Sequence, residues 1–349
     1  MNLLVLPGDG IGPEITAVAA DALRAVSDRF RLGLHLTDDV VGHESLRRHG
    51  TTVRPEVLEA ARKADGLVLG PTAAFEFRDQ INPSMFFRKN LDLFANIRPC
   101  RTYPGLAVKA GAFDLVVVRE NTEGFYADRN MESGGSEILV TKDVAIAMRR
   151  ITRVCCERIA RAAFDLAMRR RKQVTIVHKA NVLKVTDGMF LDECRKVAKE
   201  FPAVKVDEII VDAMMAHAVR APQRFDVIVT TNMFGDILSD LTAELSGSLG
   251  LGGSLNAGAD HAMAQAAHGS APDIAGSNVA NPFSLVLSVA LLLAWHGRRK
   301  KLNEFEAAAS AIEQAVEAAI AARAITTDIG GKLGTRETGV ALAKRLRAA

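Results

Sequence analysis

The chain has 349 residues, 48% of them apolar and 24% charged, enough for two ordinary domains with sizeable cores. A net charge of +3 is too small to argue for nucleic acid or a membrane surface as a partner. Cys100, Cys155, Cys156 and Cys194 form no C-x-x-C and have no zinc-type spacing, so they read as small apolar residues in a reducing compartment. The first residues, M-N-L-L-V-L-P-G-D-G, lack the charged region of a signal peptide. The longest apolar run, Phe283 to Trp295, falls short of the ~20 residues a membrane span needs. A cytoplasmic location is the expectation.

In chain order, short β-branched runs bounded by turns or charges predict buried strands at Leu3–Leu6, Gly66–Leu69, Leu115–Val118, Val174–Val177, Glu208–Val211 and Val227–Thr230. Between them, amphipathic helices are predicted at Ile15–Ser27, Asp143–Arg169 and Asp187–Glu200. A buried helix covers Phe283–Trp295, and Phe305, Ile312, Val316 and Ile320 form the stripe of a helix over Glu304–Arg323. Alternation of this kind predicts an α/β fold. Asn96–Gly105, with two prolines, and Gly247–Gly258, with five glycines, read as connections around a middle block. Asp128–Thr141 is too polar and Gly-rich for core and reads as a loop or a hairpin arm. The basic clusters Arg169–Lys172 and Arg298–Lys301 each follow an apolar helical run and read as solvated helix ends.

Several segments carry chemistry. Gly8–Glu14, G-D-G-I-G-P-E, follows a strand and opens a helix; it is either a nucleotide-lining turn or a tight connection. Asp236 and Asp240 stand four apart at a helix start, so both carboxylates share one face. Either both are solvated beside the helix dipole, or a hard cation such as Mg²⁺ or Mn²⁺ sits between them. Asp212 ends I-I-V-D and is a candidate third ligand. Arg88, Arg98 and Arg119 suit a di- or tricarboxylate, and each is also read as a structural ion pair. Lys179 ends a buried strand, where a lysine can serve as a base.

R-E-N-T-E-G-F-Y (119–126), V-H-K-A-N-V-L-K (177–184), N-M-F-G-D-I-L-S-D (232–240) and H-G-S-A-P-D-I-A-G (268–276), with Asn281-Pro282 following, resemble the isocitrate/isopropylmalate dehydrogenase family, in order and along essentially the whole chain. The resemblance implies a two-domain α/β fold without a Rossmann unit, with a mixed sheet flanked by helices. Residues 1–95 and 248–349 would form the cofactor-side domain, and 96–247 the second domain with its arm. It implies that Arg88, Arg98 and Arg119 hold the carboxylates of a malate. Asp236 and Asp240 would bind Mg²⁺ or Mn²⁺ with Asp212 of the partner subunit. Lys179 of the partner subunit would be the base at the 2-hydroxyl, and Tyr126 the proton donor at C3 once CO₂ has left. A shared site implies a homodimer. Cofactor contacts fall on Thr72, Asn181, His268, Gly269, Ser270, Ala271, Asp273, Ile274 and Asn281. Asp273 followed by Ile274 suits NAD, since an Asp would repel the extra phosphate of NADP.

Two departures matter. Gln265 stands where relatives carry a Glu near the nicotinamide ribose. Ahead of Arg88, Asn82 and Ser84 occupy the two specificity places of isocitrate enzymes in swapped order, followed by Met85, Phe86 and Phe87. The polar pair favours isocitrate or another malate with a polar or minimal C3 group. The phenylalanines keep 3-isopropylmalate open, along with homoisocitrate, tartrate and D-malate. A non-catalytic regulatory subunit is the reading from another class. Such chains lose a Tyr, Lys or Asp of the set, and all are present here.

Overall fold

The structure, a computed structural model, describes residues 1–73, 76, 80–126, 131 and 134–348. The chain opens with β1 (Asn2–Leu6), α1 (Gly12–Phe30), β2 (His35–Asp38), α2 (His43–His49), α3 (Pro55–Lys63), β3 (Gly66–Leu69) and α4 (Pro83–Asn90). Next come β4 (Ala95–Arg101), β5 (Asp114–Glu120), β6 (Glu137–Thr141), β7 (Val144–Ala147) and α5 (Arg153–Ala167). Then follow β8 (Gln173–His178), α6 (Thr186–Ala198), β9 (Lys205–Ile210), α7 (Val211–Arg220), β10 (Val227–Thr230) and α8 (Asn232–Leu245). The last elements are β11 (Leu255–Ala257), β12 (Ala262–Gln265), α9 (Phe283–Lys300), α10 (Asn303–Ala321) and α11 (Thr335–Ala348).

One ten-stranded sheet, ordered β2-β1-β3-β12-β11-β4-β5-β10-β8-β9, runs through the molecule, with β6 and β7 as a separate antiparallel pair. Pairing is parallel except at the middle, where β11 runs antiparallel to β12 and β4, and β4 antiparallel to β5. Helices cover both faces. Alternate strand residues point to opposite faces, and the cores divide accordingly. Leu3, Val5 and Ala264 pack under α1, α9 and α10, whereas Leu4, Leu67 and Phe87 pack on the other face with α3 and α4. In β5, Val116 and Val118 pack on α5, and Leu115 and Val117 on the α8 side. Ile97 touches both the α9 and the α5 clusters, so those helices share one face.

Several elements differ from the sequence expectation. Asn96–Gly105 is no connection: β4 is a central strand. Its pairing with β11 covers only Ala95–Ile97, so Pro99 falls where that ladder has ended and its missing N–H costs little there. Gly247–Gly258 likewise contains a short turn, Leu249–Leu251, and the strand β11. Its glycines mark close packing: a Cβ on Gly250 would stand 2.9 Å from the Asn281 side chain, and one on Gly258 2.6 Å from the Asp92 carbonyl. The Asp143–Arg169 pattern begins as β7 before Thr152 caps α5 by accepting from the Cys155 N–H at 3.4 Å. The strand expected at Glu208–Val211 runs instead from Lys205 to Ile210, and Asp212 sits in the first turn of α7, where the helix dipole favours a carboxylate. Of the arm at Asp128–Thr141, residues 128–130, 132 and 133 lie outside the described residues. Glu137–Thr141 is β6, exposed along its length like β7.

Gly8–Glu14 is a tight turn held by Asp9, and its Ile11 lines a cavity with the loop at 268–281. One oxygen of Asp9 accepts from the His43 N–H at 2.7 Å and the other from the Ala73 N–H at 2.9 Å. Phe164 on α5 is fully buried. Phe164→Ala should therefore lower unfolding stability by about 3–5 kcal/mol, read as a shift of the denaturation midpoint at unchanged slope.

Candidate functional site

Across the middle of the sheet, on the face opposite α5 and α9, successive strands present a row of polar side chains: Gln265 on β12, Asn256 on β11, Asn96 and Arg98 on β4, and Arg119 on β5. All are buried. They are linked: Asn256 Nδ2 donates to Gln265 Oε1 at 3.4 Å, and Asn256 Oδ1 accepts from Asn96 and Asn121 at 3.2 and 3.0 Å. Buried polar groups of this kind persist only when hydrogen-bonded.

The two arginines of this row meet the start of α8. Arg98 Nη1 donates to Ser239 Oγ at 2.7 Å and Asp240 Oδ1 at 2.8 Å, and its Nη2 stands 3.5 Å from Asp236 Oδ1. Arg119 donates through Nε to Asn232 Oδ1 at 2.9 Å and pairs through Nη1 with Asp236. Tyr126 Oη donates to Asp236 Oδ2 at 3.4 Å, and its ring lies 6.0 Å from the Arg119 guanidinium carbon. Desolvation raises the Asp240 carboxyl above its ordinary value against the pull of Arg98, and neighbouring Asp236 adds to the rise. The glutamates of R-E-N-T-E-G position the Tyr126 loop: Glu120 accepts from the Thr122 and Glu123 N–H groups at 2.8 Å, and Glu123 from Thr152 N at 3.0 Å. Burial raises both carboxyls.

On the β12 side, α4 supplies Ser84 and Arg88 one turn apart. Both donate to Gln265 Oε1, at 3.1 and 2.9 Å. Asn82 is the helix N-cap, its Oδ1 accepting from the Met85 N–H at 3.2 Å. Phe87 is fully buried in the core beneath α4 and Phe86 packs against the same cluster. The two phenylalanines therefore belong to the core rather than to the face shared by Ser84 and Arg88.

Lys179 and Asp212 are brought together elsewhere, as an ion pair at the carboxyl ends of β8 and β9, with the Asp212 side chain 69% exposed. Lys179 holds the Asp212 carboxyl below its ordinary value. Asn181 is exposed nearby. Among the described residues no three His, Cys, Asp or Glu side chains converge as a metal cluster. One chain thus assembles Asp236 with Asp240 but leaves Asp212 with Lys179.

The expected cofactor loop lines a cavity of about 250 Å³ with His268, Gly269, Ala271, Ile274 and Asn281. Ser270 supports it from behind, its carbonyl accepting from the Ile11 N–H at 2.9 Å. A Cβ on Gly10 would strike that carbonyl at 2.0 Å, which explains the glycine. Ala271 adopts φ +40°, in the left-handed region. Asp273 is exposed in the turn Pro272–Ile274 and makes no hydrogen bond or ion pair among the described residues. Burial disfavours the cationic form of His268. Thr72 lies in the loop after β3 that Asp9 holds. The sequence reading missed Asp328, which lines this cavity and accepts from Asn281 Nδ2 and Ser248 Oγ at 3.0 Å. Its segment, T-T-D-I-G-G, carried no spacing that marked it. Gly250 and Val279 were missed likewise, whereas Ile11 belongs to the Gly8–Glu14 turn.

A family model described as isocitrate/isopropylmalate dehydrogenase matches residues 2–342. A 3-isopropylmalate dehydrogenase of Methanothermobacter thermautotrophicus is 42% identical over 99% of this chain and 98% of its own. An isocitrate/homoisocitrate dehydrogenase of Thermus thermophilus is 39% identical over 99% and 98%. The crystal structure of isocitrate dehydrogenase from Methylococcus capsulatus superposes with a TM-score of 0.90 at 38% identity, over 99% of both chains.

A Cβ on Gly235 would stand 2.6 Å from the Arg119 Cβ, so this glycine makes room for the arginine stem. Gly235→Ala should lower the thermal midpoint by the equivalent of about 1–3 kcal/mol of overpacking. A midpoint equal to the wild type's would show that Arg119 moves without penalty.

Proposed function

The chain belongs to the isocitrate/isopropylmalate dehydrogenase family, decarboxylating dehydrogenases of hydroxy acids, and from that premise we propose that it oxidises and decarboxylates a 3-substituted (R)-malate with NAD and Mg²⁺ or Mn²⁺. The observation that carries the reading is the meeting of buried Arg98 and Arg119 with Asp236 and Asp240 at the start of one helix. Arginine forks bind carboxylates, and paired carboxylates bind hard cations. In the chain alone the two sets neutralise each other.

Asp236 and Asp240, with Asp212 of the partner subunit, would hold the divalent ion. When bound, the ion would supply Lewis acidity and NAD an acceptor for the hydride that leaves C2. Arg88, Arg98 and Arg119 orient the malate carboxylates and neutralise their charge. Lys179 of the partner subunit takes the 2-hydroxyl proton, and Tyr126 returns a proton to C3 after CO₂ departs. Lys179 and Asp212 adjoin each other, so a second copy would deliver both together. The exposed apolar residues Leu139 on β6, Ile146 on β7, Val182, Val185 and Ile237 support a homodimer. Asp273, exposed beside the cavity next to its lining residue Ile274, would accept hydrogen bonds from ribose hydroxyls and repel a 2′-phosphate. Thr72, His268, Gly269, Ser270, Ala271, Ile274 and Asn281 would surround the same cofactor, together with Asn181 of the partner subunit, which would arrive with Lys179.

Substrate choice rests on α4. Ser84, Arg88 and Gln265 give that wall a polar face while Phe86 and Phe87 lie in the core, which favours isocitrate or another malate with a polar or minimal C3 group. The second reading, 3-isopropylmalate, is supported by the Methanothermobacter relative's name and by Ile81, an apolar side chain 43% exposed just ahead of Ser84. Steady-state kinetics with NAD and Mn²⁺ across the malate panel decide between them; a tenfold preference for 3-isopropylmalate overturns the first.

Excess chelator should abolish turnover and Mn²⁺ restore it. Lys179→Met should cost about 10²–10⁴-fold in kcat, and a near-normal rate would remove Lys179 from the mechanism. Gln265→Glu places a carboxylate against Ser84 and Arg88. It should raise KM for the anionic substrate several-fold with a smaller change in kcat, whereas an unchanged KM would mean Arg88 does not hold substrate. Asp273→Lys combined with Ile274→Tyr should shift kcat/KM toward NADP, and a wild type already favouring NADP would refute the cofactor assignment.

A further inference from the structure

The strands that carry Arg98 and Arg119 have a second face. Ile97, Pro99 and Val116 point away from the arginines and floor a groove of about 330 Å³ between α5 and α9. Leu255 and Leu287 extend that apolar floor. The ends of α5 and α9 bring Arg169, Arg170 and Arg298 to its rim, while Arg171, Lys172, Arg299, Lys300 and Lys301 are exposed as expected of solvated helix ends.

The rim charges are unequally satisfied. Arg170 is held by Asp114 and Asp226, each at 2.7 Å, and Arg101 by Glu317 at 3.3 Å and by the ring of Tyr103. Arg169 makes no side-chain hydrogen bond or ion pair among the described residues. Arg298 is half-buried, and its ion pair with Glu306 is long, at 3.9 Å. Burial lowers the Arg298 guanidinium from its ordinary value, and the nearby charge of Arg169 adds to that lowering. Two like charges thus converge over an apolar floor, an arrangement that an anion relieves.

We propose that this groove is a second ligand site, taking a small monocarboxylate with an apolar body whose carboxylate lies between Arg169 and Arg298. A guanidinium pair matches a carboxylate's geometry. Asp114 and Glu313 also line the groove, which disfavours a multiply charged anion such as phosphate. The apolar floor requires a hydrocarbon body, and the volume falls at the lower end of the ~300–1,000 Å³ typical of small-molecule pockets. The occupant would bridge α5 to α9 and rest on Ile97, the chain neighbour of Arg98.

The test is calorimetric titration of the full-length protein with 3-phenylpropionate, repeated with its neutral amide. The carboxylate should bind saturably with a Kd on the order of 1 mM or tighter, and the amide at least tenfold more weakly. Arg169→Ala/Arg298→Ala should weaken the carboxylate at least tenfold at an unchanged thermal midpoint, and Leu291→Trp, which fills the groove, should do the same. Absence of saturable binding, equal binding of the amide, or full binding by both variants would each overturn the proposal. Full binding by the variants would place the probe on other arginines, those of the candidate active site included.

Discussion

Two guanidinium charges buried on one face of a β-sheet constrain the centre of this molecule. Arg98 and Arg119 are 7% and 1% exposed, and charges that deep persist only when paired and hydrogen-bonded. Their partners, Asn232, Asp236, Ser239 and Asp240, all come from the first turns of α8. The position of α8 is thereby fixed against β4 and β5, and Gly235 gives way to the arginine stem. The helix dipole favours carboxylates at that end, so fold and pairing agree. In the proposed reaction a substrate carboxylate would compete with Asp236 and Asp240 for the same arginines. Asp236 and Asp240 would be drawn off the arginines on holding a divalent cation, which would give the metal an electrostatic role besides its Lewis acidity.

The pleat of the same strands builds both clefts. Even-numbered residues of β4 turn Asn96 and Arg98 toward α8 and α4, while Ile97 and Pro99 turn to the groove between α5 and α9. The chain reverses strand direction at β11 and β4, where no helix intervenes to cover the sheet. Each face is left with a gap between helices there. One gap is floored by amides and guanidiniums, the other by hydrocarbon.

What the sequence revealed follows from signal strength. Strands β1, β3, β5, β8 and β10 are β-branched or Leu runs, and the i,i+4 spacing of Asp236 and Asp240 marked the first turns of α8, where both meet buried arginines. β4 and β11 escaped notice because Pro99 and the glycines around β11 read as breakers, and β12 because A-M-A-Q has no β-branched residue. Their strand state is imposed by neighbours on both sides rather than by local preference. The Gln265 link to Arg88 could not be read, since it spans 177 positions and depends on a four-residue strand. Asp328 escaped for the same reason: its partners Asn281 and Ser248 are distant in sequence and its own segment is featureless. Asn82 was legible as a polar residue before a helix, but its capping role competes with the substrate role suggested by position.

A further buried pair links the parts that the proposed shared site requires. Arg149, at the base of the β6–β7 arm, pairs with fully buried Asp187 at 2.6 Å, and it donates to Thr186 Oγ1 at 2.8 Å and Thr231 Oγ1 at 3.0 Å. Asp187 in turn accepts from the Lys179 backbone N–H at 2.5 Å. One ion pair thus ties the arm, the Lys179 loop and the residue capping α8. An isolated two-stranded arm gains little stability on its own, and this one exposes Ile138, Leu139 and Ile146. A second copy that covers the arm would act, through Arg149 and Asp187, on the backbone that aims Lys179. Under the proposed function, dimer formation and placement of Lys179 would then be coupled, because Arg149 at the base of the arm and the Lys179 backbone share Asp187.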